Sequence, residues 1–241
     1  LPAPSLHPSV PLLRAISSLG VSPFLNQMAM FLVQITLNNT LTYYGALSHY
    51  GEDIPLACVG VISKVNILML GFTLGISQGC QPIFSYNYGA RQYSRVREAY
   101  RKAIVAASVI CCIAFVCFQL FPRPIVALFD PSGSEEYFQF AERYFRIYMF
   151  MTLANAFQPI TANFFTSIGK AKRGALIALT RQVIFLIPLI LIFPLFLGID
   201  GVMYAGPIAD SAAVVVALAL VTREMKRMPH VDEPVAADTL V

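Results

Sequence analysis

Six long stretches with almost no charged residues dominate the sequence. A helix needs about 20 apolar residues to cross the hydrocarbon core of a bilayer, which is about 30 Å thick. Backbone groups inside lipid must find their hydrogen bonds within the segment, so such stretches fold as helices. The sequence therefore predicts an all-α, polytopic membrane protein with six transmembrane helices. The predicted spans are residues 21–48, 54–88, 103–121, 147–169, 175–197 and 201–221.

The composition points to the same class of protein. Of the 241 residues, 57% are hydrophobic and 12% are charged, whereas a soluble domain is roughly 45–50% apolar and about 25% charged. The net charge of +4 is small and scattered, which argues against a nucleic-acid partner. The sequence has no zinc-protease, α/β-hydrolase or P-loop motif, and its five cysteines lack neighbours at metal-ligand spacing. We expect a protein of the lipid bilayer that is not an enzyme and needs no metal or organic cofactor.

Positive charge alternates between the two sides of the predicted spans. Twelve Lys and Arg residues precede the first span or follow the second, fourth and sixth, whereas the opposite side carries three Arg and most of the acidic residues. Lys and Arg collect in cytoplasmic loops, so the pattern predicts that both ends are cytoplasmic. We expect a proline-rich linker over residues 1–13, the six-helix lobe over residues 14–228 and a cytoplasmic tail over residues 229–241.

Pairs of amide side chains interrupt three of the apolar stretches. The pairs are Gln34 and Asn38, Gln78 and Gln81, and Asn155 and Gln158. Because the members of each pair are three or four residues apart, they share one face of a helix. Three such faces could enclose an uncharged polar cavity that binds substrates. Alternatively, the amides join the helices by hydrogen bonds worth about 0.6 kcal/mol each.

Three charged residues lie within the predicted spans, where ionisable groups usually mark function. Lys64 either reaches the membrane interface or borders the cavity. Arg181 lies about 12 Å from the inner surface and Asp210 about 15 Å from the outer surface, at ~1.5 Å per residue. In a core of ~30 Å these two depths nearly coincide, so we expect an ion pair. Either the pair is static, or Asp210 binds or relays a proton or cation.

Three parts of the chain have specific combinations of residues. They are SQGCQPIFSYNYGARQYSRV (77–96), the segment from SIGKAKRG to AGPIAD (167–210), and LGVSPFLNQ with LNNTLTYYG (19–27 and 37–45). In order and spacing they resemble parts of the multidrug and toxin extrusion (MATE) transporters, namely the segment after the eighth helix, the tenth to twelfth helices, and the seventh helix. The resemblance covers about residues 14–225 and matches the second half of that family only.

The resemblance implies one lobe of a larger transporter. MATE proteins have twelve helices in two six-helix lobes, and they export organic cations and other drugs in exchange for protons or sodium by alternating access. This chain would be the C-terminal lobe of a member of the bacterial drug-export branch, located in the inner membrane. It would work with an N-terminal lobe or with a second copy of itself.

Two further points follow from the resemblance. Some branches of the family hold the coupling ion with acidic residues in the seventh and tenth helices, but residues 21–48 and 147–169 contain none in their interiors. Asp210 is then the local candidate for coupling. The alternative function is that of a flippase of related architecture for lipid-linked oligosaccharides or lipids, which should present several cations to its cavity. This chain offers Lys64 and Arg181.

Overall fold

The computed structural model describes residues 10–131, 133–229 and 232, and the secondary structure of this part of the chain is helical throughout. The helices are α1 (Val10–Ala46), α2 (Asp53–Gly89), α3 (Tyr93–Leu120), α4 (Pro122–Ala127), α5 (Glu135–Tyr148), α6 (Ala154–Ser167), α7 (Ala171–Leu179), α8 (Ile187–Leu197) and α9 (Ile199–Arg227). A 3-10 segment, Met149–Leu153, joins α5 to α6. A π-helical segment, Thr180–Leu186, joins α7 to α8.

These helices form six rods in the described part of the chain. The pairs α5–α6 and α7–α8 are each one interrupted rod, α4 is a short connector, and the four remaining helices are continuous. The predicted all-α, six-helix fold is therefore confirmed. Among the described residues, four helices are long and apolar enough to cross a membrane: Asp53–Gly89, Tyr93–Leu120, Ala171–Leu197 and Ile199–Arg227.

The fourth rod differs most from its predicted span, residues 147–169. It begins at Glu135, where Ser134 caps α5 by accepting a hydrogen bond from the N–H of Tyr137 at 3.2 Å. Helix α5 buries an aromatic face that includes Tyr144, which is fully buried. Its opposite face carries charged residues, so a search for uncharged stretches does not detect this helix. The 3-10 segment then interrupts the rod before α6 begins.

Two other helices begin earlier than predicted. Helix α3 begins at Tyr93. Its first turns are charged, so the search for uncharged stretches did not include them. Helix α1 begins at Val10, inside the predicted linker of residues 1–13. Pro11 lies in its first turn, where the missing N–H breaks no helical hydrogen bond. Residues 1–9 lie outside the described residues.

The turns with the predicted cytoplasmic charges lie at one end of the lobe. Glu224, near the end of α9, is 2% exposed and forms ion pairs with Lys170, in the turn after α6, and with Arg173, in the first turn of α7. Arg97, near the start of α3, donates from Nη2 to the carbonyl oxygen of Met228 at 2.8 Å. These contacts join both basic turns to the C-terminal end of α9, which is the arrangement that the alternating charges predict.

One acidic residue of the predicted tail, Asp232, is fixed to the lobe. It accepts hydrogen bonds from the N–H of Ser94 at 2.9 Å and from the Ser94 hydroxyl. Because these bonds favour the carboxylate, they lower the pKa of Asp232. A negative charge is also favourable at the first turn of a helix such as α3. Apart from Pro229 and Asp232, the predicted tail over residues 229–241 lies outside the described residues.

Glycines set how closely two pairs of helices approach. A Cβ atom on Gly174 would lie 2.6 Å from the carbonyl oxygen of Ala162, and one on Gly201 would lie 2.5 Å from the carbonyl carbon of Phe193. Helix backbones in membranes pack this closely at small residues. By contrast, a Cβ atom on Gly75 of α2 would meet no atom within 4 Å. Helices α6 and α7, and α8 and α9, are thus held together at positions where only glycine fits.

We expect Gly174→Ala and Gly201→Ala to lower the thermal unfolding midpoint of the purified chain in detergent. Each new methyl group meets backbone atoms that cannot move independently, and overpacking of this kind costs about 1–3 kcal/mol. Gly75→Ala is the matched control and should leave the midpoint unchanged or raise it, because Ala is better than Gly inside a helix by about 1 kcal/mol. Equal losses in all three variants would contradict this account.

Candidate functional site

Arg181 and Asp210 form an ion pair inside the lobe. Nε of Arg181 lies 2.5 Å from Oδ1 of Asp210, and the two side chains are 12% and 11% exposed. The structure thus brings together the two charges that the sequence places at a common depth. An unpaired charge in lipid costs free energy. Here each side chain neutralises the charge of the other.

The local backbone explains how Arg181 reaches this position. Arg181 lies at the start of the π-helical segment, and Pro188 follows at the first turn of α8. A proline has no N–H and its ring clashes with the carbonyl four residues earlier, so the wider π turn accommodates the chain before Pro188. Single π-helical turns inside α-helices are frequent at functional sites.

An aromatic side chain lies near the ion pair. The ring of Tyr148, at the end of α5, lies against Gly206, where a Cβ atom would come within 2.6 Å of the ring. Gly206 is one helical turn before Asp210 on α9. Tyr148 interacts electrostatically with both Arg181 and Asp210. Sequence analysis missed Tyr148, and its four-residue spacing from Tyr144 in a charged helix was the available signal.

The six predicted amides fall into two groups. Gln34 and Asn38 are exposed on α1, and Nε2 of Gln34 donates to Oδ1 of Asn38 at 2.9 Å. On α2, Gln78 is exposed and Gln81 is half-buried. The other two, Asn155 and Gln158, lie within the lobe, and Asn155 is 6% exposed.

The inner group forms hydrogen bonds between helices. Nδ2 of Asn155 donates to Oδ1 of Asn66 on α2 at 3.4 Å. Nε2 of Gln158 donates to the carbonyl oxygen of Ile177 on α7, also at 3.4 Å. These contacts are those of the alternative interpretation, in which the amides hold the helices together.

A second set of bonds continues this polar interface near the proline of α6. Nδ2 of Asn163 donates to Oγ of Ser77 at 2.6 Å, and Ser77 donates to the carbonyl oxygen of Pro159 at 3.1 Å. Sequence analysis missed Asn163. It lies four residues after Pro159 and eight after Asn155, on the same side of α6, and this spacing would have identified it.

The opposite side of α2 is open. Lys64 and Gln78 are exposed there, and so are Gly71 and Gly75. A Cβ atom on either glycine would meet no atom within 4 Å. This face therefore combines small residues, an amide and a cation, and the described residues leave it uncovered.

Known proteins resemble this chain over most of its length. The model of the MatE family matches residues 27–192. The multidrug export protein MepA of Staphylococcus aureus is 23% identical over 216 residues, which are 89% of this chain and 45% of MepA. The MepA protein of Staphylococcus haemolyticus is similar to the same extent. The chain spans about half the length of the curated relatives it matches.

Solved transporter structures resemble this fold over nearly the whole chain and about half of their own length. A MOP superfamily transporter from Pyrococcus furiosus matches with a TM-score of 0.82 at 19% identity, over 95% of this chain and 50% of that protein. A multidrug resistance MATE family transporter in its outward-facing conformation matches with a TM-score of 0.82 at 20% identity, over 95% of this chain and 50% of that one. The inward-facing conformation of such a transporter gives 0.81 at 20% identity, over 92% and 50%.

The family match covers more than half of the chain, and the six-helix fold is that of one half of these transporters. This multi-pass membrane protein therefore belongs to the MATE family.

Proposed function

We propose that this chain is the C-terminal lobe of a multidrug antiporter, which exports organic cations or other drugs in exchange for protons or sodium. The observation that carries the proposal is the pair of exposed amides on α1, Gln34 and Asn38. Amide groups are costly to expose to hydrocarbon, so this face requires a second protein surface or a water-filled cavity. The names of the MepA relatives support multidrug export.

Alternating access by movement of whole lobes is part of this proposal. The lobe resembles the outward-facing and inward-facing transporters equally well, with TM-scores of 0.82 and 0.81. This similarity favours a lobe that keeps its shape while its position relative to another lobe changes. Many secondary transporters bind substrate near the midplane between two repeats that move in this way.

The proposed location is the inner membrane of a bacterium, with both ends of the chain in the cytoplasm. The MepA relatives are bacterial. The turns around Arg97 and Arg173 lie at the same end of the lobe as the C-terminal end of α9. Because basic loops are retained in the cytoplasm, that end is the cytoplasmic one in this proposal.

We assign the substrate-facing role to the exposed amides. Gln34, Asn38 and Gln78 point away from the interior of the lobe, with Gln81 at its edge. Amides offer hydrogen bonds to polar drugs without a fixed charge, which suits a transporter that must also release its substrate. A lipid flippase is less favoured, because of the two candidate cations only Lys64 is exposed and Arg181 is already paired.

The coupling role belongs to Asp210 in this proposal. It is an acidic group inside the lobe whose counter-ion, Arg181, is on a different helix. If a proton or sodium ion neutralises Asp210, the link between the π-helical segment and α9 weakens. Such a change gives the ion a differential effect on two conformations, which any coupling mechanism requires.

When each vesicle contains about one copy of the purified chain, we expect no efflux. One lobe provides only one wall of the translocation pathway. Efflux of a fluorescent organic cation, driven by an imposed proton or sodium gradient, would be measured in proteoliposomes at several protein densities. If a second copy substitutes for the other lobe, the rate rises with the square of the density by mass action. Coupled efflux by single copies would contradict the half-transporter proposal.

The role of the ion pair is tested by removing one charge or both. We expect Asp210→Asn alone to be strongly destabilising, by about 3–5 kcal/mol, because it leaves Arg181 unpaired. The double variant Arg181→Gln/Asp210→Asn should recover most of this stability and, in the assembly that supports efflux, should lose the dependence of efflux on pH or sodium.

The surface pair Arg143–Asp200, at 2.8 Å, provides the matched control for this experiment. Its side chains are 53% and 33% exposed, so its removal should change stability by less than about 1 kcal/mol. Unchanged ion dependence in a folded Arg181→Gln/Asp210→Asn variant would exclude Asp210 from coupling.

A further inference from the structure

A groove of about 550 Å³ lies between α2 and α3, near the turn that joins them. Side chains that recur every three or four residues form its apolar floor, so they belong to one face of each helix. The floor consists of Ile76, Cys80 and Ile83 from α2 and Ala99, Ala103 and Ala106 from α3. The small alanine side chains leave the space that the groove occupies.

The groove crosses from the lipid headgroup region into the hydrocarbon core of one leaflet. Asn87 at its mouth and Ile76 at its far end are eleven residues apart on α2. This separation is about 16 Å at ~1.5 Å per residue, which is enough to cross the headgroup layer and enter the hydrocarbon core. Lys102 is the last charged residue of α3 before an uncharged stretch that continues to Leu120. Lys102 therefore marks the boundary of the hydrocarbon core, so the Arg95 end of the groove lies among the lipid headgroups and the Ala106 end lies in the hydrocarbon.

Positive charge predominates at the mouth. Arg95, Lys102 and Glu98 line it. Nζ of Lys102 lies 2.7 Å from Oε1 of Glu98, and these side chains are 72% and 54% exposed. Two cations against one carboxylate favour an anionic ligand, and the carboxylate adds an acceptor for a donor on the same ligand.

We propose that this groove binds one anionic glycerophospholipid of the adjoining leaflet. Arg95 and Lys102 bind its phosphate, and one acyl chain lies along the apolar floor. Basic pockets between transmembrane helices bind anionic lipid headgroups for this reason. Glu98 accepts a hydrogen bond from the headgroup, which favours a lipid with headgroup hydroxyls such as phosphatidylglycerol. The inference depends on the membrane location of the chain and not on its proposed transport activity.

The test compares lipids bound by the delipidated, detergent-solubilised full chain. Phosphatidylglycerol, phosphatidylcholine and inorganic phosphate would each be titrated, with bound lipid counted by native mass spectrometry and the unfolding midpoint followed in parallel. We expect about one tightly bound phosphatidylglycerol per chain and a higher midpoint. Phosphatidylcholine and inorganic phosphate should have little effect, because one lacks net charge and the other lacks an acyl chain.

Two variants separate the headgroup site from the acyl-chain site. Arg95→Gln/Lys102→Gln should weaken phosphatidylglycerol binding about thirtyfold, as expected for two cations near a membrane surface. Ala106→Leu fills the groove and should weaken it about tenfold, equivalent to losing contacts of about two methylene groups.

Each variant has a matched control outside the groove. Arg223→Gln/Arg227→Gln removes two exposed cations from the same end of the lobe, and Val109→Leu enlarges an exposed side chain of α3. Both should bind phosphatidylglycerol within about twofold of the unmodified chain, since neither lines the groove.

Three results would overturn the proposal. Equal binding of phosphatidylglycerol and phosphatidylcholine would remove the role of charge. Equal stabilisation by inorganic phosphate would indicate a simple anion site. Equal losses in the groove variants and their controls would indicate diffuse attraction of lipid to a basic surface. Because Arg95 and Lys102 are exposed, their replacement should not prevent folding, and the test stands even if Ala106→Leu is unstable.

Discussion

The requirement that polar groups in lipid find partners within the protein governs this structure. Hydrocarbon offers no hydrogen bonds, so every polar side chain in a span must be paired, covered by protein or exposed to a water-filled space. The ion pair of Arg181 with Asp210 and the bond between Asn155 and Asn66 meet this requirement inside the lobe. The amides on the outer side of α1 meet it only through the one hydrogen bond between Gln34 and Asn38, and their remaining polar atoms identify the face at which a second surface or water is needed.

The number and approximate positions of the rods could be predicted from the sequence, because long uncharged stretches are typical of transmembrane helices. The largest difference was at α5, whose buried aromatic face is accompanied by charged residues on its other side. A search for uncharged segments begins the fourth rod at residue 147 and misses the twelve residues before it, from Glu135. A search for the 3.6-residue period would have found it, because Tyr137, Ala141 and Tyr144 recur along one face. The boundaries of the spans in a bilayer remain predictions.

The candidate site was also predictable from the sequence only in part. Arg181 and Asp210 could be paired from the sequence, because the rise per residue fixes their depths and a short turn makes their helices antiparallel neighbours. The amides could not be sorted, because periodicity identifies a shared face but not what covers it. Asn155 and Asn38 look alike in sequence, since each is an asparagine paired with a nearby glutamine, yet Asn155 contacts α2 whereas Asn38 is exposed. Tertiary packing alone makes that distinction.

The contacts at the basic end restrict motion within this lobe, which favours the proposed movement of whole lobes. Glu224 joins α9 to Lys170 in the turn after α6. Arg97 donates to the carbonyl oxygen of Met228, and Asp232 accepts from Ser94, so the segment after α9 is joined to α3. Helices tied at one end by buried charge, and packed against each other through Gly174 and Gly201, have little freedom to slide independently. In the proposed antiporter, free energy from an ion gradient acts on the surfaces that remain open or on the buried ion pair. In the described lobe, such a change can be made at the exposed faces of α1 and α2 or at the ion pair between the π-helical segment and α9.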